Sequence, residues 1–133
     1  MAEKVMPHNL EAEQSVLGSM FLSKYAVQKA MESLTKDVFY LEASGIIFEA
    51  ISNLVEKGTP IDITTVTEEL DNKKVLKQVG DVEYLAEVVN VVPSAANVDE
   101  YIRIIEDCAI RRRLIEEATK IATDGYQSTD NLS

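Results

Sequence analysis

The stretch from Val98 to Gly125 reads as one helix whose apolar stripe changes sides halfway along, and a single folded core cannot cover both halves. At about 100° per residue, Val98, Tyr101, Ile102, Ile105, Cys108 and Ala109 share one face. Ile110, Leu114, Ile115, Ala118, Ile121 and Ala122 centre on another, displaced by more than ~100°. The first face can close a domain; the second calls for a partner. A docking element is therefore expected at this end of the chain.

With 133 residues, 46% of them hydrophobic, the chain fits one globular domain that buries on the order of two thirds of its unfolded surface. Low aromatic content, no Trp, three Pro and five Gly suit a helical protein better than a sandwich of short strands joined by frequent turns. The net charge of −10 argues against an independent nucleic-acid module, because phosphate binding is driven by Lys and Arg displacing counterions. The same charge can complement a basic protein partner.

Cys108 is the one cysteine, so it cannot form an internal disulfide, and its place on the apolar face marks it as a packing thiol rather than a nucleophile. Apolar runs such as Val88 and Val89 with Val91 and Val92 are too short to span a bilayer. No charged, then apolar, then small-residue leader opens the chain, so a cytoplasmic location is expected.

Along the chain, residues 1–8 read as a tail. Asn9 can cap a first helix in which Glu11 and Glu13 complement the positive N-terminal dipole and Ala12, Val16, Leu17, Met20 and Phe21 face inward. Ser23 can cap a second helix bearing Val27, Ala30, Met31 and Leu34, and Thr35 to Tyr40 turns the chain and anchors Phe39. Ile47, Phe48, Ile51, Leu54 and Val55 follow helical spacing up to Gly58 and Pro60. The β-branched stretch Ile61 to Thr67 is assigned to a helix with Ile63, Val66 and Leu70 inward, because Asp62 can cap it, or Thr65 and Glu68 can form a capping box.

Val75 to Gly80 reads as a short helical turn. Asp81 then caps a helix carrying Val82, Leu85, Val88, Val89 and Val92 that Pro93 breaks, and Asn97 with Glu100 offers a capping-box variant for the last helix.

Candidate chemistry is sparse. Gly18, Gly45, Gly58, Gly80 and Gly125 do not have the spacing of a phosphate-binding loop. His8 lies in the expected tail, where it is read as solvated. Glu11 with Glu13, and Glu68 with Glu69, are too close in sequence to face each other on a helix, so capping and solvation account for them. Arg111, Arg112 and Arg113 fan around the helix axis and read as charge complements to nearby carboxylates, with a nucleic-acid contact as the alternative. Tyr101 belongs with the core, whereas Tyr84 lies beside the inner stripe of its helix, where core edge and contact surface are both open.

The segment PHNLEAEQSVLG at 7–18 resembles the opening of the N-terminal domain of bacterial replicative DNA helicases of the DnaB family. The resemblance continues in order through DVFY at 37–40, IFEAI at 47–51, PIDITTVTEEL at 60–70, YLAEVVNVVPSAANVDEYIRIIED at 84–107, RRLI at 112–115 and DGY at 124–126. One departure is local: the family usually has paired glycines before the YL of the fifth helix, and here Gly80 is followed by Asp81.

The resemblance implies an all-α fold, a compact orthogonal bundle of about five to six helices (9–96) followed by one long protruding helix (97–126), the first arm of a hairpin whose turn starts over 127–133. It implies a noncatalytic domain that supports a hexameric collar and receives primase and the helicase loader. Glu11, Tyr84, Ile115 and Ile121 match positions where such contacts are expected, and Ile110, Leu114 and Ala118 join the last two on the second stripe. The motor domain, with its ATP and Mg and its hold on DNA through the ring, is expected to follow Ser133. No cofactor or metal site and no membrane contact is expected of this part.

Overall fold

The computed structural model describes residues 5–127, and among them are six α-helices, one short 3₁₀ turn and no strand. The all-α expectation therefore holds. Helix α1 (Leu10–Leu22) is the central element, packed against α2 (Lys24–Ser33), α3 (Glu42–Glu56), α5 (Asp81–Val89) and α6 (Val98–Gln127). Its start follows from Asn9, whose side chain accepts from the Ala12 N–H at 2.9 Å. Ser23 ends α1 and caps α2, accepting from the Ala26 N–H at 3.3 Å. Val16 and Leu17 are fully buried, with Ile47, Ile51, Leu70, Leu85 and Ile105 around them.

The β-branched stretch is helical, as α4 (Ile63–Asn72). Of the two caps the sequence offers, the structure uses Asp62: its carboxylate accepts from the Thr65 N–H at 2.8 Å, and the Thr65 hydroxyl accepts from the Asp62 N–H at 3.0 Å. The two bonds satisfy amides at both ends of the first turn and hold against β propensity.

Val75 to Gly80 is the expected short helical turn, closed by the Val79 N–H on the Val75 carbonyl at 3.2 Å and ended at Gly80. The stretch after it departs from expectation. Gly80, at φ 109°, is the N-cap of α5, and Asp81 takes φ 63° while its carboxylate accepts from the Val82 N–H at 2.7 Å. The left-handed backbone explains why glycines suit this pair of positions, and aspartate is among the side chains that tolerate it. Val82 is exposed rather than inward; Leu85 and Val88 fill the core and Tyr84 packs at their edge.

Helix α5 ends at Val89, before Pro93, where the Asn90 amide donates to the Ala86 carbonyl. At the start of α6 the Glu100 carboxylate is held by Arg103, at 2.6 and 3.1 Å, so it does not complete a capping box with Asn97.

Two acidic residues read as solvated are buried. Glu13 accepts from the Tyr40 N–H at 2.7 Å and the Leu41 N–H at 3.2 Å, and so caps the entrance of α3 from a neighbouring helix. Glu69 is held by Lys57 at 2.7 Å and by Asn53 at 3.4 Å. The Lys57 hydrogen bond is the main reason its carboxyl titrates below the usual glutamate value, against a desolvation that pulls the other way.

Candidate interaction surface

The two stripes of α6 separate cleanly. Val98, Ile102 and Ile105 are buried, with Tyr101, Cys108 and Ala109 half-buried along the same face. Cys108 thus packs at the margin of the core rather than within it. On the other face Ile110 is 56% exposed, Leu114 65%, Ile115 42% and Ile121 71%, and Ala118 and Ala122 are exposed between them. From Arg113 to Gln127 every residue is exposed, so this half of α6 is a rod standing clear of the head. Large aliphatic side chains recurring along one exposed face form an apolar patch of the kind found at interaction sites.

Where the rod leaves the head, Arg112 continues the inner face of α6. Its guanidinium donates through Nη1 to the Pro7 carbonyl at 2.8 Å and through Nη2 to the Val38 carbonyl at 2.7 Å. It also lies 5.6 Å from the centre of the Tyr40 ring, a cation–π contact. The other side chain on that ring is His8, stacked at 4.1 Å and 11°, with its Nδ1 2.7 Å from the Met6 carbonyl.

Met6, Pro7 and His8 are therefore half-buried against the head, which corrects the expected tail over 6–8 and the reading of His8 as solvated; residues 1–4 of that tail lie outside the described ones. Arg112 is likewise no surface charge complement. Arg111 does pair with a carboxylate, Asp107, at 3.3 Å. Register could have revealed Arg112, since position 112 falls four residues after Cys108 and seven after Ile105 on the buried face.

The other expected contact residues sit on the head. Glu11 is exposed on α1. Tyr84 is half-buried on α5, and its hydroxyl accepts from the Gln14 amide at 3.1 Å, one turn on from Glu11. Tyr25 of α2 donates to the Asp99 carboxylate at 2.8 Å, tying α2 to the base of α6; that bond raises the tyrosine's pKa.

An open groove of about 740 Å³ lies between α1, α2 and the end of α3, lined by Met20, Phe21, Val27, Met31, Val55 and Ile61. That lining suits apolar contact rather than acid–base chemistry. Among the described residues no three His, Cys, Asp or Glu side chains gather in a way that could hold a metal ion, and no helix is long and apolar enough to cross a membrane.

Residues 5–107 match the model of the DnaB-like helicase N-terminal domain. The chain belongs to that family. Within it, the chain is 44% identical over 131 residues to the replicative DNA helicase DnaB of Geobacillus stearothermophilus, covering 98% of this chain and 29% of that protein. It is also 44% identical over 130 residues to the replicative DNA helicase DnaC of Bacillus subtilis (strain 168), again covering 98% and 29%. The chain thus spans under a third of these relatives.

The crystal structure of the N-terminal domain of DnaB helicase from Mycobacterium tuberculosis superposes with a TM-score of 0.91 at 38% identity, over 97% of this chain and 90% of that one. The N-terminal domain of DnaB helicase from Helicobacter pylori shares the fold at a TM-score of 0.73 and 22% identity, over 88% and 91%. For this DnaB-like N-terminal domain, the conspicuous surface is the outer stripe of α6.

Proposed function

We propose that this domain is a noncatalytic assembly and docking module of a replicative helicase, with Ile110, Leu114, Ile115, Ala118 and Ile121 covered by neighbouring subunits or by accessory proteins. The observation that carries the reading is the exposed apolar row on a helix whose other stripe is buried. Neighbouring subunits would pair their rods into a collar on a hexameric ring. Primase and the helicase loader would contact the collar and the face around Glu11 and Tyr84.

A role with primase draws support from the Helicobacter pylori domain, whose structure is described together with its interactions with primase. The relatives are replicative DNA helicases more than three times as long as the matched part. ATP and Mg would act in a motor domain, DNA would be held through the ring, and this domain would need neither metal nor cofactor. The setting is cytoplasmic.

The alternative, a nucleic-acid module built on Arg111 to Arg113, has less to stand on, because Arg111 pairs with Asp107 and Arg112 is engaged by two backbone carbonyls. The deciding experiment replaces Ile115 and Ile121 with Asp in the full-length helicase. Light scattering should report loss of the ring, or a pull-down loss of primase, while circular dichroism of the head is unchanged. A ring of native size with native primase binding would defeat the assembly reading.

A further inference from the structure

We propose that the segment Met6–His8 is a strap which, through Arg112, fixes the direction in which the α6 rod leaves the head, and that opening the strap frees the rod to swing. Arg112 is the last residue of α6 that is not exposed. It is the outermost anchor of a helix already seated by Val98, Ile102 and Ile105, so what holds it bears on the course of everything beyond.

The grip is a fork. Two N–H groups of one planar guanidinium reach two carbonyls from separate parts of the chain, Pro7 before α1 and Val38 in the 3₁₀ turn, at 2.8 and 2.7 Å. Two convergent charge-assisted bonds from a rigid plane define an angle as well as a distance, which one ammonium on a flexible stem does not. The strap is itself positioned. Pro7 has a fixed φ, His8 is stacked on Tyr40 at 4.1 Å, and Arg112 meets the same ring at 5.6 Å. The Tyr40 backbone is in turn bound by the buried Glu13.

The strap is also the weakest part of the node. Val5 is 64% and Tyr40 41% exposed, and no core side chain comes from residues 5–8. Segments with few buried apolar contacts open at far lower free energy than the core they rest on. The head can stay folded while the strap lifts, so rod direction becomes a two-state property that a partner able to displace the strap would control. That regulatory consequence rests on the reading of the outer stripe as the assembly surface. The mechanical claim does not.

Pulsed electron–electron resonance tests it in the chain of 133 residues, with spin labels at Glu56→Cys on the head and Lys120→Cys on the rod, in a Cys108→Ser background and diluted with unlabelled chain. The parent should give one narrow distance. Removal of residues 1–8 should shift and broaden it with the melting transition of the head retained. Arg112→Ala should do the same, and Arg112→Lys should restore part of the narrow population.

An unchanged distance in the shortened chain overturns the proposal, whatever Arg112→Ala does, since that variant also leaves the Val38 carbonyl without its donor. Failure of the assembly reading would show elsewhere, as native-size rings with native primase binding in the helicase carrying Ile115→Asp and Ile121→Asp.

Discussion

The backbone of Gly18 on α1 runs so close to Val88 on α5 that a methyl group on Gly18 would stand 2.6 Å from the Val88 carbonyl oxygen. The obstacle is backbone and cannot swing aside. Gly18→Ala should therefore destabilise the head by about 1–3 kcal/mol, even though alanine is the better helix former by about 1 kcal/mol. Urea titration followed by circular dichroism measures this. An equal or higher midpoint would mean that α1 and α5 are not this close.

Glu13 is a buried carboxylate whose partners are the Tyr40 and Leu41 amides. Glu13→Gln keeps the shape but turns an NH₂ group toward a donor, so a loss of about 1.5–3 kcal/mol is expected, the range for hydrogen bonds to charged groups. The same titration reads it out. A variant as stable as the parent would show that the α3 entrance has no need of this cap.

Glu69 makes stability depend on acidity. Its folded-state pKa is depressed, chiefly by the Lys57 hydrogen bond, from the ordinary glutamate value of 4.5. A depressed carboxyl contributes stability that is complete above the ordinary value and is lost as pH falls through the lower, folded value. Between about pH 7 and about pH 3, the parent should lose stability below pH 4.5 more steeply than Glu69→Gln. Parallel curves would remove Glu69 from the acid response.

The two stripes of α6 should respond oppositely to truncation. Ile105→Ala removes a buried side chain and should cost about 2–5 kcal/mol. Leu114→Ala, at an exposed position, should change the isolated domain by less than about 0.5 kcal/mol. Comparable losses at both positions, by thermal or urea unfolding, would mean that the rod folds back onto the head in solution.

Periodicity made the helices and the divided faces of α6 readable, because the burial of Val98, Ile102 and Ile105 follows from spacing alone. Caps formed by a residue near its own helix, as at Asn9, Ser23 and Asp62, were readable for the same reason. What escaped were polar groups whose partners are distant in sequence. Glu13 serves amides at Tyr40 and Leu41, Glu69 meets Lys57, and Arg112 reaches Pro7. Local rules name no partner for such residues, since nothing within one helical turn announces it. The candidate surface was visible as a periodicity, whereas the node that orients it required coordinates.

The node also joins three of the sequence segments on which the resemblance rests. PHNLEAEQ supplies Pro7, His8 and Glu13, DVFY supplies Val38 and Tyr40, and RRLI supplies Arg112. Beyond that point the free helix acts as a lever arm of roughly 22 Å at 1.5 Å per residue. A tilt of about ten degrees at its fulcrum carries the tip sideways by roughly 4 Å, nearly half the 8–10 Å between packed helix axes. Angular error of that size would put knobs over ridges instead of holes, which makes one guanidinium the tolerance-setting part of any assembly built from these arms.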